Sequence, residues 1–154
     1  MGKKFEYEIT PIGMSNNAWI WFTLYRQNIN LNTQYQLVAV YCLLIGFEML
    51  LKSYLIFLNK DYCQHRNLKK LGHNFATIYE ALIKEKNAKY LPQIKEVLNK
   101  YELLTTNIDT LRYPKKGDAF LLHSDYYKIP NDVEIIFDTI SSEINREIMD
   151  SFYK

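Results

Sequence analysis

Between Gln36 and Leu58 the sequence QLVAVYCLLIGFEMLLKSYLIFL is apolar almost without a break. It is long enough for a helix of about 23 residues and roughly 35 Å. A helix apolar on nearly every side must be sheathed by other helices or by lipid. Glu48 and Lys52, four residues apart in the middle of the run, favour the protein sheath. Ionised groups in hydrocarbon cost several kcal/mol, whereas on one helical face they pair with each other or with neighbours. Upstream, Phe5, Tyr7 and Ile9 alternate with Glu6 and Glu8, the period of a short half-buried strand that ends at Pro11. Ser15, Asn16 or Asn17 then caps a first helix through Ala18, Trp19, Phe22, Tyr25 and Ile29, which the asparagine-rich stretch after it closes.

Downstream, NKDYCQHRN is a polar loop, and from Leu68 the sequence LKKLGHNFATIYEALIK becomes amphipathic. On a continuous helix Leu68, Leu71, Phe75, Ile78, Tyr79 and Leu82 form a core-facing stripe, with Lys69, Lys70, His73 and Thr77 opposite, joined by Arg66. Pro92 opens the next helix, whose Ile94, Val97, Leu98, Tyr101 and Leu104 repeat at three and four. Two prolines and a Lys-Gly-Asp turn make 110–130 irregular, with room for a short strand over Ala119–Leu122. Asn131 and Glu134 form a capping pattern for a last helix with a seam of Val133, Ile136, Phe137, Ile140, Ile144, Ile148 and Phe152. The pattern predicts an all-α fold, a compact bundle of four to five helices with a short N-terminal strand, in a single domain over residues 1–154.

Composition changes little. A chain of 154 residues buries a core without staples, and a net charge of +2 with 23% charged residues points to neither nucleic acid nor membrane. The two cysteines, Cys42 in the apolar run and Cys63 in the loop, read as reduced thiols. No apolar run follows Lys3 and Lys4, so no secretory signal is expected and the cytoplasm is the default location. Glu6 stands where a myristoylation signal needs Ser or Thr. Most of the 13 tyrosines fall on apolar stripes, where core is the simpler use. Cys63 and His65 lack the paired spacing of a zinc site, and there is no glycine-rich phosphate loop or nucleophile elbow, so no metal and no cofactor are expected.

The chemistry that remains is a cluster of Arg66, Asn67 and His73. Seven residues apart on a continuous helix, Arg66 and His73 differ by about 20° in azimuth and lie roughly 10 Å apart along the axis, so both side chains can meet one phosphate. An imidazole takes the proton from a ribose 2′-hydroxyl and a guanidinium steadies the charge growing on the phosphate, with no metal needed. Lys69 and Lys70 add attraction for the backbone, and Arg112, Lys115 and Lys116 beside Tyr113 make a loop suited to phosphate contact and stacking. If the apolar helix packs against the Arg66–Leu82 stretch, Glu48 orients Lys52, Arg66 or His73; otherwise Glu48 and Lys52 form a plain structural ion pair at a subunit interface. The alternative for every one of these cations is a solvated side chain, with His73 a surface or interface imidazole.

The order FEMLLKSYL, then RNLKKLGHNFATIYEAL, then RYP, over roughly Tyr35–Pro114, resembles the HEPN superfamily of small helical domains. The signature of that superfamily is an Arg followed by a polar residue, and a His a few residues on. Arg66, Asn67 and His73 match it in type, with six residues between Arg66 and His73 at the long end of the interval. The resemblance implies a bundle of four or five helices and a homodimer with the Arg and His of both subunits near the dimer cleft. It implies metal-independent RNA endonucleases acting as toxins, with an antitoxin or other partner protein, or in phage defence. Other members have lost catalysis and serve as nucleotide-binding or interaction modules.

Overall fold

The computed structural model describes residues 9–31, 33–101 and 130–152. The strand expected over Phe5–Ile9 falls outside them save for Ile9, as does the whole of 110–129 with Arg112, Lys115, Lys116 and Ala119–Leu122. The described chain is an all-α bundle of α1 (Pro11–Asn28), α2 (Thr33–Leu58), a 3-10 turn (Lys60–Cys63), α3 (His65–Lys70), α4 (Phe75–Ile83), α5 (Leu91–Lys100) and α6 (Pro130–Phe152).

Three expectations about helix ends are corrected. Pro11 opens α1 ahead of the start expected at Ser15–Asn17, because a proline at the first helical position has no amide to leave unpaired and its φ is already helical. The cap is Thr10, whose hydroxyl accepts the Gly13 amide at 3.2 Å, whereas Ser15 is buried with its hydroxyl 2.9 Å from that of Ser141 on α6. At the other end of the chain α6 starts at Pro130, so Asn131 is already helical, and Glu134 accepts from Arg26 of α1 at 2.7 Å instead of closing a capping box. The amphipathic run from Leu68 is not one helix but two. It breaks at Gly72, whose φ of +61° lies in the left-handed region, and Asn74 restarts it by accepting the Ala76 and Thr77 amides. This break accounts for six helices among the described residues where four or five were expected for the chain.

α2 is the axis of the bundle, packed by α1 along much of its length and by α4 and α6 over shorter contacts. The stretch Val38–Leu58 is long and apolar enough to cross a membrane, yet 78% of its most apolar window is buried inside the protein. An aromatic stack ties the layers together: Phe22 of α1 lies 4.5 Å from Phe137 of α6, Phe137 lies 6.3 Å from Phe47 of α2, and Phe47 lies 5.6 Å from Phe75 of α4. Trp19 meets both Phe22 and Phe137 edge-on, and its indole N–H donates to Ser141 at 3.0 Å. Full burial of each such ring stabilises by about 1.5–3 kcal/mol. Tyr25, Tyr54 and Tyr101 are buried too, as the stripes implied. Burial pushes the Tyr25 phenol up to about 12, which keeps it neutral in the core. Cys42 and Cys63 are both free thiols.

Gly46 sets how closely α1 approaches α2. A Cβ there would lie 3.0 Å from the Ala18 carbonyl oxygen and 3.2 Å from the Phe22 amide, both backbone atoms that cannot swing away. Gly46→Ala therefore forces the helices apart and is expected to destabilise the protein by about 1–3 kcal/mol in denaturant unfolding, despite alanine's better helix propensity. Equal or greater stability would show that the α1–α2 contact is looser than described.

Candidate functional site

The two charges in the apolar helix are the origin of the site. Glu48 and Lys52 are 6% and 8% exposed, one turn apart on α2, and the Lys52 ammonium donates to Glu48 Oε1 at 2.6 Å. Taking both ions out of water costs several kcal/mol each unless further hydrogen bonds satisfy them. The further partners come from the broken helix. Lys52 also donates to the Gly72 carbonyl at 2.7 Å, and both carboxylate oxygens of Glu48 lie 3.0 Å from His73 Nδ1.

The break makes this possible. A left-handed Gly72 turns its carbonyl toward Lys52 and places His73 in the turn, ahead of the Asn74 cap, with its ring over Glu48. The expectation that His73 and Arg66 share one face of a continuous helix is thereby overturned. An ionised carboxylate only accepts, so Nδ1 must carry a proton to bond Glu48, and in the neutral ring this leaves Nε2 as the basic nitrogen. Nε2 has no partner among the described residues, and the His73 side chain is 49% exposed.

His73 lines a cleft of about 330 Å³, within the range of small-ligand sites. Ile9, Met14, Met49 and Leu68 supply its apolar walls, and His65, Lys69, Glu48, Lys52 and His73 its polar ones. The Ile9 amide donates to the Cys63 carbonyl at 3.0 Å, which fixes that rim against the 3-10 turn. A second cavity of about 400 Å³ shares Ile9, Met14 and Met49, so the groove continues over the first turns of α1 to Asn16 and Asn17. Another cavity, of about 390 Å³, lies at the C-terminal end of α2 over the Lys89–Glu143 ion pair. There burial pushes the Glu143 carboxyl up, but Lys89, donating to it at 2.7 Å, and the neighbouring Tyr90 hydroxyl outweigh it and hold it below the usual range. Lys86, Lys89, Glu143 and Glu147 line that cavity and no histidine does, whereas two histidines line the His73 cleft.

The other expected site residues divide. Lys69 lines the cleft, whereas Lys70 is exposed outside it. Arg66 is exposed on α3, is not part of the cleft wall and has no partner among the described residues. Asn67 is half-buried and its side-chain amide donates to the Asp61 carbonyl at 2.6 Å, a structural use that fixes α3 to the 3-10 turn. His65 was not expected in the site. The signal for it is the spacing His65, Lys69, His73 at steps of four, which periodicity alone does not separate from chance. Among the described residues no three His, Cys, Asp or Glu side chains group as metal ligands. Comparison with protein-family models, curated proteins and solved structures finds no match to this chain.

The turn can be tested directly. Nothing lies within 4 Å of a Cβ added at Gly72, so Gly72→Ala meets no clash and reports only the cost of the left-handed backbone, about 1–2 kcal/mol. Denaturant unfolding should show that loss for the alanine variant and a smaller one for Gly72→Asn, since asparagine visits this region more readily. An unchanged alanine variant would contradict the turn.

Proposed function

We propose that the chain is an RNA-directed protein of the HEPN type, a metal-independent endoribonuclease with His73 as its general base. The observation that supports this most is the carboxylate-held imidazole: Glu48 takes Nδ1, and Nε2 is left open at a cleft that Lys69 also lines. An orienting carboxylate behind an imidazole fixes the tautomer and steadies the imidazolium formed when the base accepts a proton. In this reading Nε2 takes the proton of a ribose 2′-hydroxyl, the 2′-oxygen attacks phosphorus, and Lys69 balances the phosphate charge. The apolar walls suit the ribose and base, and the groove toward Asn16 and Asn17 suits a neighbouring nucleotide. Arg66 and Lys70 are exposed and serve from the flank, or across a homodimer of the sort the resemblance implies. On the same resemblance the biological setting is a cytoplasmic toxin or phage-defence system with an antitoxin or other partner protein.

A second reading, a non-catalytic nucleotide-binding or interaction module, draws on two observations. The Asn67 amide is committed to the Asp61 carbonyl, and Arg66 stands outside the cleft. The two readings part in one assay, incubation of purified protein with total RNA in excess chelator. The nuclease reading expects cleavage that falls by about 100-fold or more in folded His73→Ala and falls less in Lys69→Ala. RNA binding without cleavage favours the module, and cleavage unaffected by His73→Ala contradicts the proposed base.

A further inference from the structure

We propose that His65 is the general acid of the same cleft, the group that protonates the departing 5′-oxygen; this rests on the nuclease reading above. Cutting a phosphodiester by attack of the 2′-oxygen requires two proton transfers. His73 Nε2 takes the proton from the 2′-hydroxyl, the bond from the 2′-oxygen to phosphorus forms, and the bond from phosphorus to the 5′-oxygen breaks. The 5′-alkoxide is a poor leaving group and needs a proton as it departs. The products are then a 2′,3′-cyclic phosphate and a free 5′-hydroxyl, with one proton taken up by His73 and one given by His65 and no further reactant.

The cleft leaves few donors. Lys52 is committed to Glu48 Oε1 and the Gly72 carbonyl, and Glu48 to Lys52 and His73, all within 3.0 Å. Lys52 cannot give up a proton without stranding the buried Glu48 charge, and an ionised Glu48 has none to give. The remaining titratable side chains on the cleft wall are His65 and Lys69. Imidazoles exchange protons near neutral pH, whereas primary ammonium groups hold theirs far above it, so a lysine is suited to balancing charge and a histidine to donating.

Geometry agrees with that division. His65, Leu68, Lys69 and Gly72, at i, i+3, i+4 and i+7, present one side of α3 and its exit turn to the cleft, while His73 faces it from the end of that turn. The two imidazoles thus stand on the walls of one cavity of about 330 Å³. His65 is exposed at the first position of α3 and has no partner among the described residues, so its ring is free to meet a substrate.

The test changes the leaving group. An RNA oligonucleotide spanning a step mapped in total RNA is made with either the ordinary oxygen or a sulfur at the bridging 5′ position. A thiolate departs without a proton, so only the oxygen-bridged substrate depends on the acid. Folded His65→Ala and His65→Gln, checked by circular dichroism, are expected to cut the oxygen-bridged substrate about 100-fold or more slowly while cutting the sulfur-bridged one within a few-fold of the unsubstituted protein. His73→Ala is expected to be slow on both. Equal losses on the two substrates in the His65 variants, or no loss on either, overturn the assignment. Cleavage of neither substrate by the unsubstituted protein overturns the nuclease reading and His65 with it.

Discussion

A carboxylate buried in the long apolar helix at the centre of the bundle governs both the packing and the site. Glu48 cannot stay ionised in that position without donors, and the neighbours on α2 supply one, Lys52, which brings its own charge and its own unsatisfied hydrogens. The pair is complete only when the chain returns after α3 with a carbonyl for Lys52 and a ring nitrogen for Glu48. The position of α3, the turn after it and the start of α4 are therefore fixed in part by two residues far away in sequence. An apolar pair of similar volume would fill the space with less desolvation cost, but it would place no imidazole.

Gly72 is where this demand meets the backbone. A helix carried through from Leu68 to Ile83 would satisfy its own hydrogen bonds and leave the Gly72 carbonyl inside the ladder. Breaking it frees that carbonyl for Lys52 and costs little at a glycine, while Asn74 recovers two amides at the restart. The result is a short α3 whose face toward the cleft holds one imidazole and one ammonium, next to a second imidazole whose orientation is set from behind.

The core was legible because its signal is dense. The run from Gln36 to Leu58 required a sheath, and the heptad-like seams of α5 and α6 marked their buried faces correctly through Ile94, Val97, Ile136, Phe137 and Ile140. Helix ends were harder. Pro11 suits the end of a strand and the first turn of a helix equally well, and only Thr10 turning back on Gly13 separates the two. The link between Arg66 and His73 failed for a related reason. Azimuth arithmetic assumes an unbroken helix, and the cost of a mid-helix glycine signals a break without giving its direction. The proximity of Glu48, Lys52 and His73 was foreseeable only as one pairing among several, because it joins residues 25 apart through a turn. His65 lies in a polar stretch with no apolar period, and its spacing of four from Lys69 was too weak a pattern to place it.

Everything at the site follows from Glu48 accepting the Nδ1 proton of His73, and nitrogen-15 NMR of the histidine rings measures that proton directly. At alkaline pH, with the ring neutral, the His73 signals should be those of the Nδ1–H tautomer, with Nε2 resonating as an unprotonated nitrogen. A neutral ring with its proton on Nε2 would mean that Glu48 does not hold the imidazole, and the description of the cleft as an oriented base would be wrong.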